Sequence, residues 1–176
     1  MKVAFLLLFL GNQFLVNAQT EKKKDMTTVM TTTSKDEAAI RALMDRFAAA
    51  FNAGDIDGIM KNYLPGQDLV IFDVVPRKKY RGADTYREDW VEMFSTFKGT
   101  PKIAITDLEI TADDTVGFSH SFMTVTGIDN QGHHVDRTVR VTDGYRKVGD
   151  NWLIALEHIS VPVDMATGKA APVTKP

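Results

Sequence analysis

Four titratable side chains stand in or at the end of β-type apolar runs: Asp73 closing "LVIFD", His120 in "GFSHSF", Asp143 in "VRVTDGY" and His158 in "ALEHIS". An acid held against hydrocarbon loses solvation, and its carboxyl moves toward neutral pH. There it can take a proton from a bound carbonyl compound or from water. That makes Asp73 a candidate general base. The competing reading is a strand-end acid neutralised by Arg77, Lys78, Lys79 or Arg81. Two imidazoles with Asp143 could hold a metal, but the chain has neither His-x-His nor His-Glu-x-x-His spacing, and no metal is expected. The absence of cysteine excludes thiolate nucleophiles and disulfides, and no cofactor is expected.

These side chains need a scaffold, and hydrophobic periodicity describes one. Ser34 and Glu37 form a capping box ahead of Ile40, Leu43, Met44, Phe47 and Phe51, which recur at helical spacing until Gly54. Asp55 caps a short second helix with Ile56, Ile59, Met60 and Tyr63 inside, ended by Pro65-Gly66. A strand over 69–73 and a short one near Tyr80 lead to a third helix after Gly82, marked by Tyr86, Trp90, Met93, Phe94 and Phe97. From Lys102 the period drops to two. Strands around Ile103–Leu108 and over 115–128, 133–148 and 151–161 follow each other through short turns. Three helices on one face of an antiparallel meander make an α+β fold.

The turns predict which side chains share a face. A two-residue turn at Gly149-Asp150 opposes Tyr145 to Ile154, Asp143 to Leu156 and Val141 to His158. A four-residue turn over 129–132 opposes Phe118 to Asp143, His120 to Val141 and Phe122 to Val139. Asp143, His120 and His158 would then converge on the apolar face beneath the helices, with Glu157 and Arg140 on the other. Tyr63, Tyr80, Trp90 and Phe94 would wall the resulting pocket.

A chain of 176 residues with 44% hydrophobic and 25% charged side chains suits one globular domain. A formal charge of −2 gives no electrostatic reason to expect nucleic acid or an anionic membrane as partner. Lys2, the apolar run from Val3 to Leu10, and Val16 and Ala18 have the layout of a secretory signal over 1–18. The expected organisation is that signal, a flexible Thr-rich leader over 19–34, the domain over 35–163 and a loose tail over 164–176. A secreted or periplasmic protein without a stable membrane anchor after signal cleavage is expected.

"FNAGD" after the first helix, "FDVVP" to "RGAD" before the third, and "NWLIALEHISVPVD" at the end resemble the SnoaL-like branch of the nuclear-transport-factor-2-like superfamily. The resemblance runs from about Asp36 to Asp164. It implies a cone in which helices and a strongly curved sheet enclose a pocket for a small, mostly apolar molecule, and a homodimer through the outer sheet face. Phe47, Tyr63, Tyr80, Trp90, Phe94, Phe118, His120, Tyr145, Leu156 and His158 would contact the ligand. The ketosteroid isomerases of this superfamily imply catalytic roles for Asp73, nine residues before Gly82, and for Asp143 in Asp143-Gly144-Tyr145-Arg146. Where those enzymes carry a tyrosine on the first helix, this chain has Phe47. Three functions stay open: an exported acid/base enzyme of isomerase, cyclase or hydrolase type, a ligand carrier, and a dimeric assembly domain.

Overall fold

The computed structural model describes residues 34–75 and 80–173, with only the backbone at Tyr80. The expected signal segment and leader over 1–33 lie outside the described residues. Helix α1, Lys35–Ala53, starts at the capping box: Ser34 Oγ accepts from the Glu37 amide and the Glu37 carboxylate from the Ser34 amide, both at 3.0 Å. It stops at Gly54, whose φ of 73° is the left-handed geometry a glycine reaches without a Cβ clash. Asp55 caps α2, Ile56–Met60, through the Gly58 amide at 2.8 Å. Strands β1, Val70–Phe72, and β2, Tyr80–Arg81, precede α3, Ala83–Ser95. The meander is β3, Lys102–Ala112, β4, Val116–Ile128, β5, His134–Val148, and β6, Asn151–Ser160.

These six strands form one sheet in the order β2-β1-β6-β5-β4-β3. The meander is antiparallel throughout, but β1 joins β6 in parallel, with Ile71 opposite Glu157 and Phe72 opposite His158. The helices bury Phe47, Phe51, Ile59, Tyr63, Tyr86 and Trp90 against Met123, Val141, Tyr145 and Ile154 of the sheet. Asp36 fastens α1 to the far hairpin by accepting from Lys147 Nζ at 2.6 Å and Trp152 Nε1 at 2.9 Å.

Two registers differ from those the turns suggest. The β4–β5 loop holds five residues: the Asp129 carboxylate accepts from the His133 amide at 2.8 Å, keeping His133 out of the strand, and Ile128 pairs with His134. In the β5–β6 hairpin Val148 pairs with Asn151 and Tyr145 with Ile154 as expected. A bulge beyond Tyr145 then makes Ala155 the extra residue, so Asp143 opposes Glu157 and Val141 opposes Ile159. Each shift is one residue, and each turns a strand over. Val116, Phe118, His120 and Phe122 on β4, and Leu156 and His158 on β6, consequently lie on the outer face, while Glu157 turns inward. After β6 the chain makes an exposed local turn: Val163 bridges Ala170, and the Asp164 amide donates to the Lys169 carbonyl at 2.9 Å.

Candidate functional site

Beneath the helices, the inner face carries three carboxyl groups, on β5, on β6 and just past the end of β1. Asp143 on β5 and Glu157 on β6 are register partners, and Ile71 opposes Glu157 from β1. Two residues beyond Ile71, Asp73 returns to the same face. Asp143 is 1% exposed: its Oδ2 accepts from the Tyr145 hydroxyl at 3.2 Å, and that hydroxyl shares a 2.8 Å bond with Ser119 Oγ. Asp143 Oδ1 is buried without a hydrogen-bond partner among the described residues. Glu157 is 3% exposed and accepts from two phenols, Tyr63 at 2.7 Å and Tyr86 at 2.6 Å. Asp73 is half-buried and accepts from the Val74 amide at 2.5 Å.

Burial pushes all three carboxyls upward, each for a slightly different balance of causes. Asp143 rises well above the ordinary aspartate range through desolvation and the charge of Glu157, which its hydroxyl donors only partly offset. Glu157 is pushed up to about 7 by burial, against the pull of the Tyr86 and Tyr63 hydroxyls. Burial raises Asp73, and the charge of Asp89 adds to it, while the Val74 amide opposes both. Two neighbouring buried carboxyls cannot both ionise cheaply. Glu157, with two hydroxyl donors, is the better home for a shared charge, and Asp143 the better home for the proton.

A cavity of about 700 Å³ opens between α3 and the β4–β5 hairpin. Its wall includes Asp73, Val74, Tyr86, Trp90, Met93, Phe97, Met123 and Val139. The arrangement can desolvate an apolar ligand and hold a half-buried carboxylate against it. Behind the wall, Tyr86 connects the cavity to Glu157. Among the described residues no group of three His, Asp or Glu side chains could hold a metal ion.

A family model described as a SnoaL-like domain matches residues 40–164. The chain belongs to the SnoaL-like family. Among solved structures, this SnoaL-like domain is similar to a nuclear-transport-factor-2-like protein of unknown function from Pseudomonas putida, at 28% identity over 80% of this chain and 96% of that one, with a TM-score of 0.71. A nuclear-transport-factor-2-like superfamily protein from Salmonella enterica shares the fold at 15% identity, covering 75% of this chain and 94% of its own, with a TM-score of 0.65. So does a protein of unknown function with a cystatin-like fold from Nostoc punctiforme, at 19% identity over 74% and 93%, with a TM-score of 0.60. No curated protein matches the chain.

Of the residues singled out in the sequence, the SnoaL-like domain brings Asp73 and Trp90 to the cavity wall. Asp143 faces inward as expected but lies behind the wall, in the packed core with Phe47, Tyr63 and Tyr145. Phe94 packs on Phe51, ring centroids 4.9 Å apart, and is not on the wall. The Tyr80 side chain lies outside the described residues. Phe118, His120, Leu156 and His158 are corrections: all four project from the outer face, with Phe118 54% exposed. There His120 Nε2 sits 3.4 Å from Glu109, and the His158 ring packs on Phe72. The expected meeting of Asp143 with two histidines does not occur; Glu157 and two tyrosines take that place. Alternation counted backward from the buried Ile159 would have turned Glu157 inward, because the bulge lies earlier in the strand.

Proposed function

We propose that this SnoaL-like domain binds a small, mostly apolar molecule in the cavity beside α3, with Asp73 as general base in isomerase-, cyclase- or hydrolase-type chemistry. The supporting observation is Asp73 itself, half-buried on a wall that joins Val74, Trp90, Met93, Met123 and Val139 to the charged Asp89, Glu92, Asp129 and Arg137, and raised by that burial toward the pH at which a carboxylate accepts a proton usefully. Asp143 does not touch the cavity, so its part is to store a proton behind it. Phe47 offers no hydroxyl, and the Tyr63 and Tyr86 hydroxyls are directed to Glu157. Loss of one oxyanion donor costs ~10²–10³ in rate, which argues against ketosteroid isomerisation itself. Asp73→Asn tests the assignment: folding and uptake of an apolar probe should survive while turnover disappears. Unchanged affinity together with unchanged turnover would remove Asp73 from the chemistry.

A homodimer through the outer sheet face is supported by exposed Phe72, Val116, Phe118 and Leu156 on that side. Export is supported by Lys2 and the apolar run behind it. The intact mass of the protein recovered from the periplasm or medium should lack residues 1–18.

A further inference from the structure

Arg137 breaks the pattern of the inner face of β5. Val135, Val139 and Val141 share that face with it, and its register partner on β4 is Val125. It stands on the cavity wall with Val125, Val135 and Val139, and it is exposed. Its guanidinium makes no hydrogen bond or ion pair with any described residue. The other charged groups on that wall are Asp73, Asp89, Glu92 and Asp129. The Asp129 carboxylate is taken up by the His133 amide at 2.8 Å and the His133 ring at 3.0 Å. Asp73 is raised, with the charge of Asp89 contributing, so no guanidinium neutralises it. Glu92 is exposed on α3, and its carboxylate is not bonded to Arg137. Among the described residues, Arg137 is therefore the one cation on the wall, and it has no counterion there.

We infer that Arg137 anchors a carboxylate, which makes the ligand a small, mostly apolar carboxylic acid with its body along Met93, Met123 and Val139. The inference rests on the binding function proposed above and narrows the class of molecule the cavity takes. A guanidinium is a planar fork of donors that fits both oxygens of a carboxylate. One such group in a mainly apolar pocket fixes which way round a ligand lies. The registers give the direction. Phe72 is level with His158, and His158 with Thr142. Asp73 thus starts level with Val141, two strands and roughly 10 Å away, and Arg137 lies roughly 13 Å further along β5. An acid bound with its carboxylate at Arg137 sends its far end toward Asp73. The proposed base then acts on the part of the molecule remote from the charge.

Two probes of equal size isolate the anchor: 2-naphthylacetate, an anion at pH 7.5, and 2-naphthylacetamide, which is neutral. By equilibrium dialysis at low salt, the unmodified protein should prefer the anion. Arg137→Gln should lower the acetate-to-acetamide affinity ratio about fivefold, the worth of one partly exposed ion pair, and leave acetamide binding as it was. That second measurement shows that the cavity is intact in the variant. Glu92→Gln, which removes a like charge from the wall, should raise the ratio, and added salt should shrink it. A ratio that is the same with and without the Arg137 guanidinium overturns the inference and leaves the binding function intact, as does a preference for the amide in the unmodified protein. Arg77, Lys78 and Lys79 follow the wall residue Val75 in sequence. A preference that survives Arg137→Gln but is lost when these three become Gln also overturns the inference, because the anion is then read by the basic run. If neither probe binds, the binding function falls and the inference with it.

Discussion

Glu157, Asp143 and Asp73 are easier to bury neutral than charged, and that gives stability a pH dependence opposite to that of ordinary surface acids. A carboxyl whose folded pKa is raised contributes stability that is fully present below its unfolded pKa and lost as pH rises through the folded one. For Glu157 the window runs from 4.5 to about 7; for Asp143 and Asp73 it starts at 3.8 and extends upward. Asp36, Asp57 and Asp129 are held below 3.8 by Lys147, Arg87 and the His133 amide respectively, so their contribution is present above that value and fades in acid. Stability should therefore peak between about pH 4 and 5 and decline toward neutrality. Urea midpoints from pH 3.5 to 8 check this, and Glu157→Gln should flatten the decline between pH 4.5 and 7. Glu157→Leu should cost more, about 2–4 kcal/mol at pH 5, because two buried phenols lose their acceptor together.

Helices were the legible elements. Ser34, Glu37, Gly54 and Asp55 are local signals, and each works in the fold as its residue type predicts. Ser34→Ala should therefore lower unfolding free energy by about 1 kcal/mol with m unchanged, measurable by urea titration. The type and order of the four meander strands were legible too, since alternation and short turns are also local; the parallel place of β1 beside β6 was not. Facing was not. The extra loop residue exists because Asp129 reaches the His133 amide, and the β6 bulge because inward Tyr145 and Asp143 must be met by both Ile154 and Glu157. The first is a side-chain bond inside the loop and the second a tertiary demand; the one turns β4 over, the other the end of β6 beyond Ala155. Asp143 escaped the error because both pairings were counted outward from its own strand. Asp73 escaped because it lies outside the meander, whereas His120, His158 and Glu157 did not.

Across the whole molecule, the outer face and the cavity make separable predictions. Phe118→Glu puts a charge in the middle of the exposed apolar patch and leaves the inner core untouched. Sedimentation velocity should show it as a monomer at concentrations where the unmodified protein is a dimer, with the thermal midpoint of the monomer little changed. A monomeric unmodified protein would end the proposal for that face. The parallel pairing of β1 with β6 reaches further. Val70 meets Leu156, and Tyr63 bonds an acid 94 positions later, so β1 has only the two-residue β2 beside it until the last hairpin has been made. A ribosome-bound or half-translocated chain is thus left without its keystone, and a fragment ending at Gly149 should be cut rapidly by protease along its length. Under the export proposed above, late closure would keep the thread passable until its end has come through.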